Sequence, residues 1–234
     1  MNQTSGDIEL RRAACLVAGW SLLLMTVISG VSYGYIHSSL IVEDPLTTLA
    51  NLQASSWLFE LEIVGWVMIF VLDLIVTIAL YVYLKPIHVD LAQITSAFRL
   101  LYTIILGVAI SSLVEAHHLV IEDASLSTNS AMDTMALLSS FETTWTLGLI
   151  VFGIHLLLLG LLVLRAYQIP KLLSYLLIVG GCVYVVVHGL YTFSQSFDSL
   201  TTIVELMLMI PMFVGEIGFA LWLLVRGRGV QFHS

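Results

Sequence analysis

Apolar residues occur in six long runs along the chain, each interrupted by only a few polar positions. A helix needs about 20 predominantly apolar residues to cross the hydrocarbon core of a bilayer. The first run is too long for the apolar core of a signal peptide, so we interpret it as a membrane anchor. The pattern predicts an all-α polytopic membrane bundle, formed by a single domain with six transmembrane helices at residues 13–35, 57–84, 91–114, 137–164, 172–193 and 201–225.

The composition agrees with this pattern. Of the 234 residues, 59% are hydrophobic and only 10% are charged, whereas a soluble domain carries about 25% charged residues. We therefore expect the lipid bilayer to be the main partner, and the eight scattered Lys and Arg residues predict no nucleic-acid binding. Cys15 and Cys182 both lie inside apolar runs, which predicts buried thiols rather than a disulfide or a metal pair.

The basic residues predict the orientation of the six spans. Lys and Arg concentrate in the cytoplasmic loops of membrane proteins. Three of the loops contain only acidic charges, among them Glu43, Asp44 and Asp198. The remaining loops and both ends of the chain carry the basic residues, so both termini are expected in the cytoplasm and the protein in the cell membrane; these residues are Arg11, Arg12, Lys85, Arg165, Lys171, Arg226 and Arg228.

Two of the outer loops have different characters. The segment after Pro45 places apolar residues at helical spacing, which predicts a short interfacial helix. The segment from Glu122 to Asp133 is polar and predicts a flexible loop. Within the later spans, several glycines predict close packing between helices, namely Gly148, Gly153, Gly160, Gly180, Gly181, Gly215 and Gly218.

Four segments of the chain have a recognisable pattern, namely residues 38–42, residues 79–86 with 98–100, residues 152–160 with 169–170, and residues 215–224. Together they resemble the bacterial membrane family called domain of unknown function 4386, in the same order and with matching spacing from about residue 10 to residue 228. The resemblance implies six helices and places Arg99, His155 and Glu216 within the patterned segments. It implies no particular substrate.

Four ionisable residues lie deep in four different predicted helices. Measured from the cytoplasmic end of each predicted helix at about 1.5 Å per residue, Asp73 lies about 18 Å deep and Arg99 about 13 Å deep. His155 and Glu216 each lie about 15 Å deep. A charge at such a depth costs roughly 2.5–3.5 kcal/mol on insertion scales. We therefore expect one buried cluster in which Arg99 pairs with Asp73 or Glu216.

A second layer of acidic residues and histidines is expected nearer the outer side. Glu115 and His118 form one Glu-x-x-His pair on a helical face. Di-iron carboxylate bundles use two such pairs together with Glu residues from facing helices. The pattern therefore indicates a candidate metal site, and haem held between His118 and His188 is an alternative. The candidate ligands are Glu62, Glu115, His118, Glu142, His188 and Glu205.

Three functional classes fit these observations. The first is a protein that binds or translocates a small ligand, ion or proton through the core of Asp73, Arg99, His155 and Glu216. The second is a membrane enzyme that uses a metal ion or haem in the outer layer. The third is a structural or regulatory subunit whose ion pairs hold helices together. The first class is favoured because ionisable residues inside a membrane are functional candidates by default.

Overall fold

The computed structural model of the protein describes residues 5–122, 126–193 and 213–230, and all regular structure within them is helical. Helix α1 (Ser5–Ser29) continues through a π-helical segment (Gly30–His37) into the short α2 (Ser38–Leu40). The later elements are α3 (Pro45–Ala54), α4 (Ser56–Leu84), α5 (Val89–Glu122), α6 (Thr128–Leu164), α7 (Lys171–Phe193) and a 3₁₀ turn (Gly227–Gly229), with α8 (Phe213–Val225) before that turn.

Five helical stretches are long and apolar enough to cross a membrane, namely Gly6–Leu40 and the helices α4, α5, α6 and α7. Only 28% to 56% of the most apolar 18-residue stretch of each is buried inside the structure. The remaining apolar side chains, such as Val27, Ile104 and Val108, face outward. A helix that is apolar on all sides is typical of a lipid environment. The protein is therefore a multi-pass membrane protein.

The predicted bounds agree with α4 and α7 to within one residue, but three other helices are longer than predicted. Helix α1 begins at Ser5, α5 continues to Glu122, and α6 begins at Thr128, so the predicted loop is wrong over residues 128–133. Ser127 caps α6, because its hydroxyl oxygen accepts from the Ser130 backbone N–H at 3.1 Å. Hydropathy locates the apolar centre of a helix and misses polar turns that extend beyond the lipid.

The predicted span at 201–225 is helical over Phe213–Val225, and its part at residues 201–212 lies outside the described residues. The predicted short helix after Pro45 is confirmed as α3. Asp44 caps it, because its carboxylate accepts from the Thr47 hydroxyl at 2.6 Å and from the Thr47 backbone N–H at 2.8 Å. These bonds stabilise the ionised form and lower the pKa of the Asp44 carboxyl.

The chain forms two compact units. Unit 1 contains Met1–Leu24, Leu72–Thr103 and Thr146–Ser234, and unit 2 contains Met25–Val71 and Ile104–Trp145. In unit 1 the Tyr83 hydroxyl donates to the Gly227 carbonyl at 3.0 Å, which ties the end of α4 to the turn after α8. Cys15 is buried as predicted, whereas the prediction for Cys182 is wrong because that thiol is exposed on α7.

Helices α6 and α7, within unit 1, approach each other at backbone distance. A Cβ atom placed on Gly181 would lie 2.6 Å from the Gly153 carbonyl oxygen, and one placed on Gly160 would lie 2.9 Å from the Ser174 carbonyl oxygen. Real Cβ atoms essentially never make contacts below 3.0 Å. The expected close-packing role is therefore confirmed for Gly153, Gly160 and Gly181.

Substituting Gly181 by alanine should force the two helices apart and lower the free energy of unfolding by about 1–3 kcal/mol. A Cβ atom on Gly189, farther along the same helix, meets nothing within 4 Å. Gly189→Ala should therefore be neutral or slightly stabilising, because alanine is the better helix former. Thermal unfolding of both variants in detergent micelles measures the difference, and equal effects would contradict the close approach.

Candidate functional site

Three polar residues of unit 1 lie deep inside its helices. Arg99 of α5 is 2% exposed, Asp73 of α4 is fully buried, and His155 of α6 is 1% exposed. Thr95 and Thr103 flank Arg99 at four-residue spacing, so all three side chains share one face of α5. Helical periodicity on α5 thus presents a polar stripe to the neighbouring helices of the unit.

The Arg99 guanidinium and the Asp73 carboxylate form a buried ion pair. Arg99 Nη2 donates to Asp73 Oδ1, and the Thr103 hydroxyl donates to Asp73 Oδ2. Both carboxylate oxygens are therefore satisfied, as a charge removed from water requires. The Arg99 guanidinium carbon also lies 5.5 Å from the centre of the Phe152 ring, within the range of a cation–π interaction.

The hydrogen bonds of His155 determine its protonation. Its Nδ1 lies 2.8 Å from the Thr95 carbonyl oxygen, which only accepts. Its Nε2 lies 3.2 Å from Arg99 Nη1, which only donates. Nδ1 must therefore carry the proton while Nε2 accepts, so the imidazole is neutral. Asp73, Arg99 and His155 together carry no net charge.

The fourth residue of the expected cluster, Glu216, is held differently. It lies partly buried on α8, and its Oε1 accepts from the Tyr184 hydroxyl at 3.4 Å. The charges of both Arg99 and Asp73 act on its carboxyl group. Of the two acidic partners expected for Arg99, Asp73 makes the contact, while Glu216 is an adjacent carboxyl group with a longer hydrogen bond.

In unit 2 the structure brings two of the predicted outer residues to a histidine. His37 Nδ1 lies 2.7 Å from Glu62 Oε1, and His37 Nε2 lies 3.2 Å from Glu142 Oε1. Sequence reasoning missed His37, because the first span was predicted to end at residue 35. The helix in fact runs through a π-helical segment to Leu40. A stacked contact of 4.9 Å between the rings of Tyr33 and His37, one turn apart, accompanies this continuation.

The other predicted outer residues do not join this group in the part of the chain that the structure describes. Glu115 and His118 are exposed on α5, and the neighbouring His117 instead bonds Glu60 at 3.3 Å. His188, in unit 1, stacks on Tyr184 with 5.5 Å between ring centres, and Glu205 lies outside the described residues. In the described part of the chain, no three His, Cys, Asp or Glu side chains are grouped so that they could hold a metal ion.

Removing one member of the buried ion pair should destabilise the protein strongly. Arg99→Met leaves the Asp73 carboxylate unpaired and should lower the free energy of unfolding by about 3–5 kcal/mol. Adding Asp73→Leu should recover most of that loss, because apolar residues of similar size often replace a buried pair without cost. Denaturation in detergent micelles measures both effects.

The exposed Arg165 provides the matched control for the loss of a positive charge. Arg165→Met should change the free energy of unfolding by no more than about 0.5 kcal/mol. A double variant no more stable than Arg99→Met alone would show that the stranded carboxylate of Asp73 is not the cause of the instability.

Comparison with known proteins gives a family and a relative. The chain matches the family described as domain of unknown function (DUF4386) over residues 17–227. It is also 30% identical to an uncharacterised protein of Archaeoglobus fulgidus over 169 residues, which cover 71% of this chain and 84% of the relative. No solved structure matches the chain. Because the match covers nearly the whole chain, the protein belongs to the DUF4386 family.

Proposed function

We propose that this membrane protein binds and translocates a small ion, with a proton as the best-supported species, through the polar core of unit 1. The observation that carries the proposal is the contrast between Arg99 and Glu216. Arg99 is fixed by Asp73 and by a neutral His155, whereas the Glu216 carboxyl group accepts, among the described residues, one hydrogen bond of 3.4 Å from Tyr184. Glu216 is therefore the group in the core that is free to change its protonation.

The charge of Arg99 is already balanced within the core. Its Nη2 is engaged by the Asp73 carboxylate, and its Nη1 is engaged by His155 Nε2. Arg99 Nε is buried and has no hydrogen-bond partner among the described residues. An anion would add a second negative charge beside Asp73, which is unfavourable, whereas Glu216 can accept a positively charged species without disturbing the ion pair.

Glu216 and Tyr184 supply the parts that a proton-transfer step needs. A carboxyl group in a low-dielectric place that gains or loses a proton changes the local charge by one unit, and chains of such groups form proton relays in membrane proteins. The hydroxyl of Tyr184 can either donate or accept a hydrogen bond. It can therefore donate to ionised Glu216 and accept from protonated Glu216.

A second candidate function is a structural subunit whose ion pair only holds helices together. The complete hydrogen bonding of Asp73 and His155 favours it, because a satisfied buried network is what a structural role requires. The two candidates differ at Glu216. A structural role gives that carboxyl group no function, whereas ion translocation depends on it.

We further infer six spans with both termini in the cytoplasm of the cell. All eight Lys and Arg residues of the sequence fall within unit 1, and unit 2 contains none. The basic turns after α4 and α6, and the basic ends of the chain, therefore belong on the cytoplasmic side. With both termini on the same side of the membrane, the number of spans is even. The helix ending at Val225 is therefore taken as the sixth span.

Split green fluorescent protein tests this topology. Attaching the short complementing strand to either terminus of the full chain should give fluorescence with a cytoplasmic large fragment in both cases, because both ends lie inside. Fluorescence from one terminus only would indicate an odd number of spans, and the absence of fluorescence from both would indicate the reverse orientation.

Proton translocation is testable with the purified full-length protein in liposomes that contain a pH-sensitive dye. Under an imposed membrane potential the wild-type protein should change the internal pH faster than empty liposomes do. Glu216→Gln should abolish the flux because the amide does not titrate, whereas Glu122→Gln, at an exposed position on α5, should retain it. Wild-type flux no faster than in empty liposomes, or full flux in Glu216→Gln, would contradict the proposal.

A further inference from the structure

A carboxylate–imidazole–carboxylate triad lies in unit 2 and shares no residue with the proposed core. Its members are Glu142 of α6, His37 at the end of the π-helical segment, and Glu62 of α4. Their side chains are 49%, 6% and 0% exposed respectively. The triad therefore connects an exposed carboxyl group to a completely buried one through a single ring.

The number of protons in the triad follows from its contacts. An ionised carboxylate only accepts hydrogen bonds, and a bare ring nitrogen also only accepts. Each of the two nitrogen–oxygen contacts of His37, at 2.7 Å and 3.2 Å, must therefore contain one proton. The triad holds two protons and carries one net negative charge, wherever those two protons lie.

We propose that Glu142, His37 and Glu62 form a proton relay that passes a proton from the exposed carboxyl group of Glu142 to the buried carboxyl group of Glu62. In the starting state Glu142 is protonated and donates to a bare Nε2, while Nδ1–H donates to ionised Glu62. The Glu142 O–H bond breaks as an Nε2–H bond forms, and the Nδ1–H bond breaks as a Glu62 O–H bond forms. Both protons are retained, the net charge is unchanged, and the imidazole changes tautomer.

The surroundings of the ring favour this transfer over rotation of the ring. Around His37 the described residues bring Glu62 from α4, Glu142 from α6 and Tyr33 from its own segment. Tyr33 stacks on the imidazole at 4.9 Å, and Phe141 lies 6.0 Å from it. Two tryptophans extend this wall, with Trp66 and Trp145 ring centres 5.0 Å apart. Aromatic packing of this kind fixes the ring plane and excludes bulk water.

The buried end of the triad has one oxygen atom that the ring does not contact. Glu62 Oε2 is buried and has no hydrogen-bond partner among the described residues. Buried polar atoms without a protein partner generally bind ordered water. A proton on Glu62 Oε1 therefore leaves Oε2 as an acceptor oxygen at the buried end of the relay.

The side chain of Ser32 packs against α4 next to the triad. A Cβ atom on Gly65 would clash with the Ser32 hydroxyl oxygen. Gly65 follows Glu62 by about one helical turn, and Ser32 lies in the π-helical segment that ends at His37. π-Helical turns occur frequently at functional sites. Glycine at this position therefore leaves room for the Ser32 side chain between α4 and the segment that carries His37.

Infrared spectroscopy after a rapid drop in pH tests the relay in the full-length protein in liposomes. The C=O stretch of a protonated carboxyl group should appear in the wild-type protein and be missing in Glu62→Gln, which assigns it to Glu62. Glu142→Gln should slow its appearance about 100-fold, the size of a typical loss of an acid–base group. Glu60→Gln is the matched control, because Glu60 is an exposed carboxylate that also bonds a histidine, and it should leave the rate unchanged.

The relay does not rest on the proposed function of the polar core, so either proposal can be contradicted without the other. Glu142 is exposed, and its substitution should leave the fold intact even if Glu62→Gln does not fold. A wild-type rate in Glu142→Gln would overturn the relay, and so would the absence of a protonated carboxyl band that depends on Glu62. If Glu216→Gln loses the proton flux in liposomes but keeps the carboxyl band of Glu62, both proposals are supported.

Discussion

A guanidinium buried among apolar helices must have its charge balanced, and this constraint organises unit 1. Arg99 meets it with the Asp73 carboxylate, and a neutral imidazole and an aromatic face from α6 also contact the guanidinium. Arg99 Nε is buried and has no hydrogen-bond partner among the described residues. An unpaired charge in such a place would cost several kcal/mol. The arrangement of α4, α5 and α6 around Arg99 is therefore constrained by its ion pair with Asp73.

The hydrogen-bond partners of His155 and His37 give the two histidines opposite roles. His155 lies between a donor and an acceptor of fixed character, so its tautomer is fixed and it cannot pass a proton without breaking a bond to Arg99 or Thr95. His37 lies between two carboxyl groups that can each hold or release a proton. His155 helps to position the Arg99 guanidinium, whereas His37 is suited to transfer a proton. The partners of each ring decide this difference, and burial alone does not.

Much of the fold could be predicted from the sequence, because a bilayer requires long apolar helices and the chain shows them clearly. Helix ends were less predictable, since polar turns such as residues 115–122 of α5 continue the helix beyond its apolar centre. Counting residues along the helices was enough to expect Asp73, Arg99 and His155 in one cluster, and the structure brings these three side chains together. The partner of Arg99 did not follow from such counting, because depth alone does not distinguish Asp73 from Glu216.

The triad in unit 2 was harder to predict for a physical reason. A helix was predicted to end where the apolar run ends, and His37 lies just beyond that point. The π-helical segment carries the chain onward and turns the ring of His37 toward Glu62. Glu62 and Glu142 were recognised as acidic residues of an outer layer. Their common partner depends on a local change of helical period that the sequence pattern does not reveal.

The account depends most directly on the protonation of His155 in the core. Nitrogen-15 nuclear magnetic resonance of histidine-labelled protein in lipid bilayers at neutral pH reports which ring nitrogen carries a proton, with His155→Gln to assign the signal. The account predicts a protonated Nδ1 and a bare Nε2, because only a bare Nε2 can accept from Arg99. A proton on Nε2 would show that Arg99 is not fixed by His155 and would contradict the proposed core.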